Sequence, residues 1–268
     1  MPHDGEIQLG KVWLVGAGPG AADLLTLRAS RLIGEAQALL YDALVDEAVV
    51  ALAPAACLKI RTGKRSGQAS MSQAVINGLM LKLAQRGLTV VRLKGGDPSV
   101  FGRVGEEAGY LSRRGVAVEV VPGVTAASAA AAQFGFPLTH RGEARRILFA
   151  TARIENGVLE TEGWGGGADP QTTLVLYMGR DSAGAVAERL IALGRSPATP
   201  AIAVENAGRP HARAICASLA GLGEALSAVP LDGPVVVAIG EAVRAAVDRQ
   251  STNAALLADF GYHSAEFA

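Results

Sequence analysis

The chain has almost no cysteine. Two residues of 268, Cys57 and Cys216, are too few and too isolated for a disulfide framework or a Cys-x-x-Cys metal site, which fits a reducing cytoplasm. An excess of one charge is also missing. Lysine plus arginine equals aspartate plus glutamate, 25 against 25, so no global field gathers nucleic acid or an anionic membrane. An acidic ligand needs a local basic pocket instead. No apolar run approaches the ~20 residues that span a bilayer, and MPHDGEIQLG lacks the basic start and apolar stretch of a signal peptide. The sequence reads as cytoplasmic, with neither membrane nor nucleic acid as partner, and offers no metal site.

Aromatics are scarce at 4%, while half the residues are hydrophobic and the mean hydropathy is +0.28. That excludes a disordered chain and requires a large core. The length exceeds the roughly 100–200 residues of one ordinary domain, so two domains are expected. Glycine is abundant, 33 of 268, without collagen period or low complexity. It implies many tight turns, or backbone that must approach a ligand closely.

Short apolar runs alternate with amphipathic stretches. KVWLVGAGPG reads as a buried strand entering a glycine turn, LLTLRASRLIGEA as a helix, ALLYDALV as a strand and SQAVINGLMLKLAQRG as a helix. TVVRLKGGDP is strand and turn again, followed by a helix through GEEAGYLSRRG, the strand VAVEVVPG and an alanine-rich helix from Thr125. The rhythm pauses at PLTHRGEARR and resumes with ILFATAR, TTLVLYMG, SAGAVAERLIALG, PAIAVENAG, ASLAGLGEAL and GPVVVAIGEAV. This predicts two α/β domains with mainly parallel sheets. The expected organisation is a leader over 1–9, an N-terminal domain over 10–140, a C-terminal domain over 141–248 and a tail over 249–268, the boundary falling near Thr139 to Arg146.

In open parallel sheets, ligands bind beyond the carboxyl ends of the strands. Three strands of the first half end in glycine turns: Gly16-Ala17-Gly18-Pro19-Gly20, Gly95-Gly96-Asp97-Pro98 and Pro122-Gly123-Val124-Thr125. Together they line one edge with exposed backbone and favour a small-molecule cleft. GAGPGA also satisfies the dinucleotide fingerprint, with Asp42 at the next strand end where a ribose-binding acid belongs, so a nicotinamide or flavin oxidoreductase is the competing reading. Against it, Pro19 removes an amide from the loop that would hold pyrophosphate, and the helical period begins only near Leu24.

Seven stretches, VWLVGAGPGAADLLTLRA, LYDALV, GKRSG, VRLKGGDPSVFGRVGEEA, VVPGVTAASAAAA, FPLTHR and LVLYMG, occur in an order and spacing that resemble the tetrapyrrole methylase family over residues 10–245. Within that family they are most similar to the S-adenosyl-L-methionine-dependent uroporphyrinogen-III C-methyltransferases. The resemblance implies methyl transfer to two pyrrole carbons of uroporphyrinogen III, giving precorrin-2 by way of precorrin-1, with both ligands in the cleft between the domains of a homodimer. It assigns Pro19, Gly95, Gly96, Asp97, Val100, Thr125, Ala126, Met178 and Ala207 to the cofactor, Asp42 as proton acceptor, Lys64 as proton donor, and Arg103 and Glu106 to the tetrapyrrole. Arg65, His140, Arg141, Arg145 and Arg146 supply further charges for a carboxylate-rich substrate. Without the resemblance, Met178 reads equally well as a core methionine and Asp42 as an acid capping a turn.

Ser99, Val104, Gln68 and the pair Ala152-Arg153 depart from the family's usual residues. They fall on the substrate side, which keeps open a third reading, a binding protein without turnover. Fused relatives carry a dehydrogenase and ferrochelatase module; with only about ten residues ahead of its first strand, none is expected here.

Overall fold

The computed structural model describes residues 9–63, 71–152, 154–155, 158–159 and 164–249, with side chains omitted at 154–155 and 158–159. Lys64, Arg65, Gln68, Arg153, most of the leader and nearly all of the tail therefore lie outside the described residues. The chain divides into two compact units, Met1–Ala126 and Ala127–Ala268.

The first unit holds five strands: β1 (Val12–Gly16), β2 (Ala38–Tyr41), β3 (Leu58–Arg61), β4 (Val90–Lys94) and β5 (Val118–Val121). They form one sheet in the order β3-β2-β4-β1-β5, parallel throughout. Helices α1 (Leu27–Gly34), α2 (Glu47–Val50), α3 (Gln73–Gln85) and α4 (Val104–Ser112) connect them. Alternate residues of each strand face opposite layers. Val15, Leu39, Val91 and Leu93 pack against Ala29, Leu32 and Ile33 of α1 and Val49 and Val50 of α2. Val12, Leu14, Ala38, Leu40 and Val90 pack against Ile76, Met80 and Leu83 of α3 and Leu111 of α4. Both faces are covered, which is why these strands read as nearly continuous apolar runs.

The second unit takes in nearly all of α5 (Ala126–Phe134) and continues with β6 (Arg146–Thr151), the hairpin β7 (Ile154–Glu155) and β8 (Val158–Leu159), α6 (Gly165–Ala168), β9 (Thr172–Tyr177), α7 (Ala183–Ala192), β10 (Pro200–Glu205), β11 (Arg213–Ser218), α8 (Leu222–Ser227) and β12 (Val235–Ile239). Ala127 and Ala130 of α5 border one small void with Val175, Ile202 and Val236 of the sheet. The division thus falls ahead of α5, whereas the pause in the sequence rhythm falls after it.

The second sheet, in the order β11-β10-β12-β9-β6, corrects one expectation. Only β6 and β9 pair in parallel; β9–β12, β12–β10 and β10–β11 are antiparallel. The cause is local: residues 206–212 between β10 and β11 are too few for the crossover a parallel pair needs. One residue fastens the end of this sheet. Arg195, 3% exposed, donates to the carbonyl oxygens of Gly167, Asp169 (3.5 Å), Thr172 (3.0 Å) and Ile239 (3.4 Å). Arg195→Met leaves those carbonyls without the guanidinium, and is expected to cost about 3–5 kcal/mol and lower the Tm by on the order of 10 °C. Thermal denaturation followed by circular dichroism checks this; an unchanged Tm would show the carbonyls satisfied some other way.

Candidate functional site

Because every pairing in the first sheet is parallel, all its strands end at one edge, and the three glycine turns meet there. The loop after β1 and the loop after β4 are joined by a backbone bridge. Gly18 donates to Gly96 O (3.2 Å) and Gly96 to Gly18 O (2.7 Å), while Ala17 donates to Lys94 O (2.9 Å). The third turn fits only because it lacks side chains. A Cβ placed on Gly123 would lie 2.3 Å from Gly96 O, and one on Gly16 would lie 2.6 Å from Gly123 Cα. Gly96, at φ +71°, is different, since a Cβ there would meet nothing nearer than Thr125 Cα and Val124 O at 4.0 Å. The edge is thus welded on one side and open on the other.

Two carboxylates hold these loops. Asp97 accepts from Ser99 N (2.7 Å) and from Gly123 N (3.0 Å), tying the second loop to the third. Asp42, just past β2, accepts from Leu44 N (2.9 Å) and Gly95 N (3.3 Å). The structure therefore brings Pro19, Asp42, Gly95, Gly96, Asp97 and Thr125 to one sheet edge. Val100 follows directly, its N–H donating to Asp97 O (3.2 Å), and Ala126 opens α5.

From this edge the chain runs through a strained corner into α4. Phe101 (φ 54°) and Arg103 (φ 57°) are left-handed, a conformation costing a side-chain-bearing residue about 1–2 kcal/mol and one that persists where a site over-determines it. The Arg103 fork grips Glu106 through Nε (2.8 Å) and one terminal nitrogen (2.7 Å), both side chains being more than half exposed. The hydrogen bond from Arg103 holds the Glu106 carboxyl below the usual carboxylate range. The departures nearby have local accounts. Ser99 is exposed, held by its N–H on Asp97, and Val104 packs on the core beneath α3 and α4.

In the second unit, β9 and β10 both run antiparallel to β12, so they end at the same edge. Met178 follows β9 at φ 52° and is 69% exposed, which is no place for a core methionine. Asn206 follows β10 at φ 55°, just before the buried Ala207. Glu205 steadies that corner by accepting from Gly233 N (2.6 Å) and Arg213 Nε (2.5 Å). Burial opposes its charge, yet these two donors keep its carboxyl below the ordinary value. Arg145 and Arg146 stand elsewhere, at the opposite end of β6, bonded to Gln171 and Asp169. His140 pairs with Glu143 (3.4 Å) in the turn before them.

Sequence reading passed over a buried polar cluster beneath the edge. Arg92 and Lys94 of β4 and Glu107 of α4 are 5%, 5% and 0% exposed. The signal was present: two cations at inward positions of an otherwise apolar central strand, where charges are rare unless paired.

Residues 11–223 match the family described as Tetrapyrrole (Corrin/Porphyrin) Methylases. The chain belongs to this family. A Paracoccus denitrificans uroporphyrinogen-III C-methyltransferase is 42% identical over 245 residues, which cover 91% of this chain and 85% of that protein. A siroheme synthase from Saccharophagus degradans is 41% identical over 235 residues, 88% of this chain but 51% of that protein. The chain thus spans about half the length of the siroheme synthases it matches. A solved uroporphyrin-III C-methyl transferase from Thermus thermophilus, in complex with S-adenyl homocysteine, superposes with a TM-score of 0.74 at 44% identity, over 88% of this chain and 94% of that one.

The tetrapyrrole methylase fold also explains why the dinucleotide fingerprint misleads here. After GAGPG the chain forms a short 3-10 turn (Ala22–Leu24), and α1 starts only at Leu27, capped by Thr26. No helix N-terminus lies at the glycine turn, and the turn's own backbone is engaged with Gly96.

Proposed function

We propose that this chain transfers methyl groups from S-adenosyl-L-methionine to two pyrrole carbons of uroporphyrinogen III, yielding precorrin-2 by way of precorrin-1, the entry to sirohaem- and cobalamin-type tetrapyrroles. The observation that carries the reading is the open space over Gly96, where a placed Cβ would meet nothing nearer than Thr125 Cα and Val124 O at 4.0 Å. It lies at the carboxyl edge of a parallel sheet, and the missing side chain lets a ligand of nucleoside size approach the backbone closely. S-adenosyl-L-methionine fits these residues and supplies an electrophilic methyl group on a sulfonium.

The chain's own residues then have defined tasks. The Gly18–Gly96 bridge and Asp97 keep the loops at a fixed spacing, so the attacking carbon meets the methyl in line. When the new carbon–carbon bond forms, its electron pair comes from the pyrrole carbon and the sulfur–carbon pair returns to sulfur. Asp42 takes up the proton shed by the macrocycle, and Lys64 serves as proton donor. Arg103 meets a propionate or acetate of the tetrapyrrole as a planar fork, the use it already makes of Glu106. The reading includes a cytoplasmic homodimer; free Cys57 and Cys216 suit a reducing compartment. No described helix is long and apolar enough to cross a membrane, and no described group of His, Cys, Asp and Glu could hold a metal ion.

Incubation with anaerobically prepared uroporphyrinogen III and methyl-labelled S-adenosyl-L-methionine tests this. A dimethylated, labelled product is expected, and unchanged substrate would overturn the reading. Arg103→Ala is expected to raise the KM for uroporphyrinogen III about 10–100-fold, the equivalent of one lost charged hydrogen-bonding fork. Calorimetric binding of S-adenosylhomocysteine should be unaltered; loss of both together would move Arg103 to the cofactor.

A further inference from the structure

The buried cluster under the sheet edge reaches the strand ends of β2, β3 and β4 and the first turns of α4. Glu107 lies on α4, one turn beyond Arg103. Its Oε2 accepts from Lys94 Nζ (2.8 Å), and its Oε1 from Arg92 Nε (3.4 Å) and Gln73 Nε2 (3.0 Å). Gln73 also donates to Asn77 Oδ1 (2.9 Å) of α3. Arg92 NH1 donates to Thr62 Oγ1 (3.0 Å), and the Thr62 hydroxyl and N–H both donate to Tyr41 O (3.0 and 2.8 Å).

These bonds form one connected path. Thr62 closes β3 just ahead of Lys64 in the chain, Tyr41 immediately precedes Asp42, and Lys94 immediately precedes Gly95. The charges also balance, Arg92 and Lys94 facing Glu107 and, across the strand ends, Asp42. Burial, and secondarily Arg92, push the Lys94 ammonium down from its ordinary pKa, and Glu107 first and then Asp42 counter this. A fully buried carboxylate serving two buried cations is costly to assemble, and replacing such groups by apolar ones is often neutral or stabilising, so stability gives no sufficient reason for it.

We propose that Glu107 is a positioning residue for methyl transfer: through Lys94, Arg92 and Thr62 it clamps the ends of β2, β3 and β4 to the first turns of α4. The segments bearing Asp42 and Arg103, and the end of β3 at Thr62, are thereby held in one arrangement. This rests on the methyl-transfer reading above. The cofactor loops have independent fasteners, the Gly18–Gly96 bridge and the Asp97–Gly123 bond. The clamp therefore governs turnover and leaves cofactor affinity alone.

The test uses the full chain and three variants. Glu107→Gln is expected to lower kcat about 100-fold, the usual scale for an ångström of misplacement, with S-adenosylhomocysteine affinity within about 3-fold of wild type. Should that variant fail to fold, Thr62→Val and Thr62→Ser decide the matter. Valine keeps the shape and loses the hydroxyl, leaving Arg92 without that acceptor; serine keeps the hydroxyl and loses only a buried methyl. Valine should therefore lower kcat about 10-fold with S-adenosylhomocysteine affinity unchanged, while serine keeps kcat near the wild-type value. Hydrogen exchange in the valine variant should quicken at the amides of Leu44, Thr62 and Gly95 and stay slow at Gly123. Wild-type kcat in Thr62→Val, or an equal loss of kcat in Thr62→Ser, would overturn the clamp. A wild-type protein that fails to methylate uroporphyrinogen III removes the methyl-transfer reading and the catalytic half of this proposal together. The exchange pattern then still decides whether the clamp exists.

Discussion

Gly123→Ala is expected to abolish S-adenosylhomocysteine binding, raising Kd more than about 100-fold, and to destabilise the first unit by several kcal/mol. The added Cβ would sit 2.3 Å from Gly96 O, 2.9 Å from Gly16 Cα and 3.0 Å from Gly16 C. All three are backbone atoms, so no side chain can swing aside. Gly16 is the last residue of β1, and Gly96 is pinned by its two bonds to Gly18. Relief must come from pushing the third turn off the second, which stretches the Gly123 N–Asp97 bond and changes the width of the open face beside Thr125. The φ of Gly123 is not in the left-handed range, so the cost is overpacking and not conformational strain. Gly78→Ala provides the contrast. That glycine lies within α3 with nothing within 4 Å of a placed Cβ, and alanine there should be neutral or stabilise by about 0.5–1 kcal/mol. Calorimetry and thermal melts on both variants check the pair; ligand affinity retained in Gly123→Ala would mean the three-loop edge is not the cofactor surface.

The same edge shows what a sequence conveys and what it withholds. Glycine turns closing apolar strands are legible, because helical segments between the strands force parallel order and parallel order puts every turn on one side. Direction within the second sheet is not. PAIAVENAG and GPVVVAIGEAV are apolar runs that look the same pointing either way, and only the short link from β10 to β11 betrays the antiparallel pairing. Besides the short β7–β8 hairpin, the strands that sequence pattern does not reveal are LKIR and RAICAS, which are β3 and β11, both sheet edges. Edge strands carry charges and are only half covered, so they lack the hydrophobic signature of the strands between them.

Residue roles divide along similar lines. A strand-end aspartate can cap its own turn or act on a ligand, and Asp42 does the former for Leu44 while also reaching Gly95, a partner far away in sequence. No local pattern announces that second bond. Met178 was ambiguous for the opposite reason: a methionine after an apolar strand resembles core, and only its exposure and left-handed backbone separate it from one. Glu107 is the instructive omission. In GEEAGYL, one glutamate is exposed and paired with Arg103 while its neighbour is buried under β4, and helical phase alone distinguishes them.

The Asp97 variants separate two roles that the sequence leaves merged. If Asp97 acts by joining loops, its worth lies in accepting from Ser99 N and Gly123 N simultaneously. Asp97→Ala removes both acceptors and frees the third turn, so Kd for S-adenosylhomocysteine should rise about 30–100-fold, in keeping with two lost charge-assisted bonds only partly shielded from solvent. Asp97→Asn keeps the shape and one acceptor oxygen, enough for one of the two amides, and its loss should be about ten-fold smaller. If instead the carboxylate itself meets the cationic amino group of the ligand, removing the charge is what matters and asparagine should be nearly as damaging as alanine. Calorimetry on the two variants therefore ranks the roles: a wide gap places Asp97 in the loop joint, and equal losses place it on the ligand. Thermal melts supply the cross-check. A loop joint couples to stability, so alanine should also lower the Tm by a few degrees, whereas a carboxylate serving only the ligand leaves the Tm of the free protein unchanged.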